Sequence, residues 1–186
     1  MTAALDHTTS AVLDAGGQAL LFTEARTSNT FAPTPVTDDE LSAIWELTRW
    51  SPSMANSQPL RVLYVRTDDG KARLVPHLAE GNRAKAASAP VVAVLAYDSS
   101  FHETMPTVFP MRGEAMKEHF GSQPELRTEV ARYSAALQTG IFLLAIRASG
   151  LAAGPMGGFD MAGVDEEFFA GTSWRSHLVV NIGHPG

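Results

Sequence analysis

Apolar residues recur along this chain with a spacing that switches from helical to strand-like and back. Val12, Leu13, Ala19, Leu20 and Leu21 are partly in helical phase. They predict a first helix over 10–25, weakened by Gly16-Gly17. An irregular stretch with Pro33 and Pro35 follows. Thr37-Asp38-Asp39-Glu40 has the form of a capping box, in which Thr37 accepts from the Glu40 amide and Glu40 reaches back. Val36 and Leu41 stand where its hydrophobic staple belongs. The helix is expected to run to Trp50, with Leu41, Ile44, Trp45 and Thr48 on one stripe, and Ser51-Pro52 ends it.

Leu60 to Arg66 alternates as a strand does, with Val62, Tyr64 and Arg66 on one face and Leu63 and Val65 on the other. Asp68-Asp69-Gly70 opens a short helix through Leu78. Val91 to Ala96 is apolar at every position, the pattern of a central strand covered on both faces. Residues 98–124 mix Gly, Pro, His and Phe without a period, and we expect a mobile, lid-like excursion there. In Glu125 to Ser149, Leu126, Val130, Tyr133, Leu137, Ile141 and Leu144 follow steps of three and four, which predicts the longest helix. From Thr139 it turns apolar all round, so its second half should be buried on every side. Gly150 suits its C-terminal cap. Glycines follow, then a short helix near Asp160 to Phe169 and a strand from His177 to Ile182. No repeat or linker divides the chain. The expectation is one domain over 1–186, α+β or α/β, with helices around one sheet.

Composition narrows the partners. Charged residues are 18% of the 186 against 45% hydrophobic. That is below the usual charged fraction of about 25% and points to surface buried in a partner subunit, although an Ala- and Gly-rich sequence reads the same way. The net charge of −6, with no basic run, argues against nucleic acid and anionic membrane. With no cysteine there is no disulfide and no thiolate chemistry, which suits a cytoplasmic setting. Met1 to Ser10 carries no signal pattern, and the apolar run Ile141 to Ile146 is far short of the roughly 20 residues a bilayer needs. Six dispersed histidines form no His-x-x-x-His or His-Glu-x-x-His, so no metal is expected. No nucleophile elbow and no phosphate loop is present.

What remains is a set of polar clusters: Arg26-Thr27-Ser28-Asn29, Ser51 to Pro59, Gly81-Asn82-Arg83-Ala84-Lys85 and Gly154-Pro155-Met156-Gly157-Gly158-Phe159-Asp160. A guanidinium and a hydroxyl at Arg26 and Ser28 can grip a phosphate, or simply form a surface turn. Ser53, Asn56 and Gln58 crowd one connection, either for a ligand or for their own backbone. Asn82 and Lys85 share a helical face if that segment is helical, and an ordinary solvated turn would look alike. Gly157-Gly158 lets backbone N–H groups approach a ligand closely, and also fits common turn chemistry. Together the clusters supply cations, amides, hydroxyls and bare backbone without an acid–base pair. That set suits a flat phosphorylated cofactor that carries the chemistry itself.

These clusters, in this order from about Leu21 to Gly183, resemble the FMN-dependent nitroreductase family. Gly154 to Asp160, with Asp165, Phe168-Phe169 and Leu178 to Gly183, resembles the branch holding malonic semialdehyde reductases and NADH dehydrogenase/NAD(P)H nitroreductases. The resemblance implies an α+β flavoprotein of nitroreductase-like fold, with a central mixed sheet flanked by helices. It also implies a homodimer with FMN at the subunit interface. Arg26, Thr27 and Ser28 would hold phosphate and ring edge. Pro52, Ser53, Met54 and Asn56 would cover the flavin, partly from the partner. Asn82 and Lys85 would meet the pyrimidine edge, with Lys85 balancing the reduced ring. Pro155, Met156, Gly157 and Gly158 would pass beside N5, with a backbone N–H of Gly157 or Gly158 facing it. NAD(P)H would pass hydride through N5 to a small electrophile. By branch this is 3-oxopropanoate, reduced to 3-hydroxypropanoate. Nitroarenes or quinones are the alternative acceptors, and non-catalytic FMN storage is the alternative role. Two departures stand out. Many members carry a second cation where this chain has Thr30, and many continue past the last strand with an Arg-bearing tail, whereas this sequence stops at Gly186.

Overall fold

The computed structural model describes residues 12–186, so Met1–Ser10 and the first positions of the helix expected over 10–25 lie outside it. Helix α1 (Ala15–Gln18) is a single turn capped by the Asp14 carboxylate and runs on as a π-helical turn, Ala19–Thr23. The two glycines keep this element short. Helix α2 (Asp38–Thr48) starts on the full capping box: the Glu40 amide donates to the Thr37 hydroxyl, and the Thr37 amide donates to the Glu40 carboxylate at 2.7 Å. Val36 and Leu41 are both buried as the staple requires. Trp45, expected on the buried stripe, is instead 38% exposed at its edge.

Strand β1 (Leu60–Val65) leads to α3 (Asp68–Leu74), α4 (Glu80–Ser88) and β2 (Val91–Asp98). Residues 98–124 are not the aperiodic excursion the sequence suggests. They form a 3₁₀ turn at Phe101–Thr104, then α5 (Met105–Val108) and α6 (Gly113–Gly121). Phe101, Met105 and Phe120 pack with Val130 and Ala131 of the long helix α7 (Pro124–Ala148) into a small core of their own. Short helices of this kind leave no sustained period to read. Strand β3 (Ala152–Met156), α8 (Met161–Phe169) and β4 (Trp174–Gly183) complete the chain.

The strand order is β1-β2-β4-β3, and every pairing is antiparallel. This corrects the expected mixed sheet. Among the described residues no two neighbouring strands run parallel, because β3, unread in the sequence, also returns antiparallel on β4. Side-chain alternation divides the interior in two. Val91, Ala93, Leu95, Val180 and Ile182 face α2 and α7. Val92, Val94, Ala96 and Val179 face α3, α4 and α8. The second half of α7 is less enclosed than its composition suggests: Phe142, Ala145 and Ile146 are buried, while Gly140 and Ala148 are exposed. No helix among the described residues is long and apolar enough to cross a membrane.

Candidate functional site

Three of the four polar clusters meet in one crevice. Thr27, Ser28 and Asn29 close one side, Asn82 and Lys85 of α4 another, and Gly154 to Gly157 with Asn181 form the floor. The cavity holds about 160 Å³. Several contacts bring these distant segments together. The Ser28 amide donates to the Ala153 carbonyl at 2.9 Å, and the Ala32 amide to His184 at 3.0 Å. An added Cβ at Gly154 would lie 2.5 Å from the Ser28 carbonyl oxygen, so only glycine admits this approach. Leu78 and Phe159 form a β-bridge, flanked by Ala79 N–H to Gly158 and Asp160 N–H to His77. That bridge fixes α4 against the Gly157-Gly158 turn.

The donors are partly committed. Asn82 Nδ2 donates to the Gly158 carbonyl at 3.1 Å, and its Oδ1 has no hydrogen-bond partner among the described residues. The Ser28 hydroxyl donates to the Thr30 carbonyl at 2.7 Å and keeps its lone pairs. The Lys85 ammonium has no hydrogen bond or ion pair among the described residues, although the side chain is half-buried. Around Gly157 an added Cβ would meet nothing within 4 Å. Arg26 lies outside the crevice lining. Its guanidinium folds back onto the Thr23 and Ala25 carbonyls at 3.0 and 2.8 Å.

The second cluster stands elsewhere. Pro52, Ser53 and Asn56 border a separate groove of about 930 Å³ with Trp45, Trp50 and Thr107, while Met54 projects 49% exposed. This loop precedes β1 at one edge of the sheet and is held by α7. The crevice lies at the β3 edge on the α4 side. Three strand spacings and about four residues of offset along β4 put them roughly 20 Å apart. No single ring system reaches both within one chain.

Residues 23–184 match the sequence model described as "Nitroreductase family". The chain belongs to the nitroreductase family. A Streptomyces coelicolor protein provisionally named NADH dehydrogenase/NAD(P)H nitroreductase is 62% identical over 167 residues, 90% of this chain and 82% of that protein. Among solved structures, a nitroreductase family protein from Streptococcus pneumoniae superposes with a TM-score of 0.78 at 20% identity over 88% of each chain. A provisionally named nitroreductase from Exiguobacterium sibiricum, solved in complex with FMN, gives 0.76 at 20% identity over 96% of this chain and 91% of that one. At such identities the structures establish the nitroreductase fold.

Two residues of this nitroreductase chain escaped the motif reading. Asn181 is 1% exposed, lines the crevice, and has an Oδ1 with no partner, its Nδ2 meeting only the Met156 sulfur at 3.6 Å. The signal was a lone amide inside the run Val179-Val180-Ile182. Gln138 is 2% exposed beneath the 51–58 loop. Its signal was a polar pair with Ser134 at helical spacing on an apolar helix. Away from the crevice, burial, aided by Arg132, pushes the His177 imidazole down to about 4, while its Nε2 pairs with the Thr139 hydroxyl at 2.8 Å.

Proposed function

We propose that the chain is an FMN-dependent NAD(P)H oxidoreductase whose cofactor sits in the Thr27–Lys85–Gly157 crevice. The observation that carries this reading is the unsatisfied floor and wall of that crevice. Asn181 Oδ1 is buried without a partner, the Lys85 ammonium is unpaired among the described residues, and the Gly157 backbone faces open space. A buried amide oxygen is costly unless a polar group meets it, and the unpaired ammonium beside it stands ready for an anionic one. A flat ring with alternating donors and acceptors and a phosphate tail fits that donor set. The chemistry FMN supplies when bound is hydride carriage between NAD(P)H and an acceptor.

The chain's own residues have distinct tasks. Lys85 places a positive charge beside the pyrimidine edge, where negative charge collects on reduction. Asn82, held by the Gly158 carbonyl, presents its Oδ1 to the same edge. Thr27 and Ser28 offer hydroxyls to the ring edge, and Arg26 is placed to swing from its backbone carbonyls to phosphate. Gly157 and Gly158 present main chain alone, so the ring approaches closely.

The site is completed by a second copy. The roughly 20 Å between the crevice and the Pro52–Asn56 loop within one chain supports a homodimer in which each subunit lends its loop to the other's crevice. The outer face of α7 supports the same reading, with Tyr133 at 59% and Leu137 at 42% exposure. The acceptor we propose is 3-oxopropanoate, on the branch resemblance of Gly154–Asp160 and Leu178–Gly183, with nitroarenes and quinones second. The test is an absorbance spectrum of the purified protein, then NAD(P)H addition without air, then an acceptor panel. A yellow protein that bleaches with NAD(P)H and recovers its colour with an acceptor is expected. A colourless protein that takes up no FMN overturns the proposal.

A further inference from the structure

We infer that Gln138 and Ser134 of α7 are positioning residues that hold the Pro52–Asn56 loop in the form it presents to a second copy's crevice. The inference rests on the reading of that crevice as the FMN site. The loop is unusual in its backbone. Ala55, Asn56 and Gln58 all lie in the left-handed region, with φ of 51°, 53° and 45°, and none is glycine. Such a conformation persists only where the surroundings over-determine it, and it gathers at functional sites.

The surroundings here are side chains of α7. Gln138 Oε1 accepts from the Leu60 amide at 3.0 Å, at the first residue of β1. Its Nε2 donates to Gln58 Oε1 at 2.6 Å. Gln58 Nε2 in turn donates to Asn56 Oδ1 at 2.8 Å and to the Ser51 carbonyl at 3.2 Å. The Met54 amide donates to the Ser134 hydroxyl at 3.2 Å. Gln138 is 2% exposed and both ends of its amide are used, so its orientation is unique. It ties the strand to the loop and thereby sets Asn56. Ser134 and Gln138 lie one position from the outward Tyr133 and Leu137 on the same helix. Packing of two copies along α7 would therefore deliver the loop at a fixed height over the facing crevice.

Gln138→Glu keeps the shape and the acceptor for Leu60 but removes the donor to Gln58. To meet a carboxylate, Gln58 must turn its Nε2 away from Asn56 and Ser51. Gln138→Met removes both bonds at similar volume and serves if the buried charge prevents folding. With either, FMN titrated into the apo dimer by flavin fluorescence should bind about tenfold more weakly than in wild type. The deciding experiment mixes defects. A heterodimer of one Gln138→Glu subunit and one Lys85→Glu subunit, purified with two tags, contains one site with both faults and one with neither. It should bind one FMN per dimer with wild-type affinity, although each parent homodimer binds weakly. Two weak sites in the heterodimer, or wild-type affinity in both Gln138 variants, overturns the inference while leaving FMN binding itself intact. A wild-type chain that takes up no FMN overturns the functional reading and this inference with it.

Discussion

Gly157 and Gly154 lie three residues apart on the floor of the crevice, and adding one methyl to each should have opposite consequences. At Gly157 an added Cβ meets nothing within 4 Å, and the backbone is outside the left-handed region. Gly157→Ala therefore leaves the apo fold intact, or stabilises it by up to about 1 kcal/mol through the unfolded chain. On the proposed placement of the cofactor the methyl takes the ring's space, and FMN affinity should fall at least about tenfold, or about 1.4 kcal/mol. At Gly154 the new Cβ lies 2.5 Å from the Ser28 backbone oxygen, which no side-chain motion relieves. Overpacking of this kind costs about 1–3 kcal/mol. In a chain of this size, about 2 kcal/mol lowers Tm by about 4–8 °C. The assay is thermal unfolding of both apo variants followed by FMN titration. Unchanged FMN affinity in Gly157→Ala would refute the placement of that backbone against the ligand. An unchanged Tm in Gly154→Ala would refute the close approach of the Ser28 segment.

Lys85→Met should slow flavin reduction by NAD(P)H in a stopped-flow trace more than it shifts Tm, and unchanged reduction would remove Lys85 from its charge-balancing role. The folded His177 titrates at about 4 against an ordinary 6.5, so below 6.5 the unfolded chain takes the proton first. The stability it contributes is therefore whole above 6.5 and is lost as the pH falls towards 4, about 3 kcal/mol in all. Tm measured across that window should fall less steeply in His177→Gln than in wild type, and parallel slopes would count against a neutral buried imidazole. Thr37→Ala removes the N-cap acceptor of α2 and should lower stability by about 1 kcal/mol in urea unfolding, with no change in FMN affinity.

Elements with their own local logic were legible in the sequence. Thr37 and Glu40 cap α2 through bonds between neighbours, Val91 to Ala96 needs only burial on both faces, and the α7 period spans many turns. Strand β3 was hidden because Ala152-Ala153-Gly154-Pro155 are poor strand formers. They are tolerated because β3 is an edge, where Pro155 can lack a donor. The four clusters were visible as chemistry, but their partition was not. Three converge through contacts such as Ser28 on Ala153, while Asn56 sits with Val108 and α7 far from them. Asn181 and Gln138 look like ordinary polar interruptions until tertiary neighbours leave one unsatisfied and bind the other at both ends.

The bridge between Leu78 and Phe159 joins segments some eighty positions apart into one short ladder. Neither the start of α4 nor the glycine turn can shift without breaking main-chain bonds on the other. The mould is therefore cast before any guest arrives, and little ordering entropy remains to be lost on docking. Discrimination among guests then comes from rigid shape at this wall. In the proposed dimer the opposite wall is the Pro52–Asn56 loop, which Gln138 and Ser134 also hold, so both walls are set before the guest arrives.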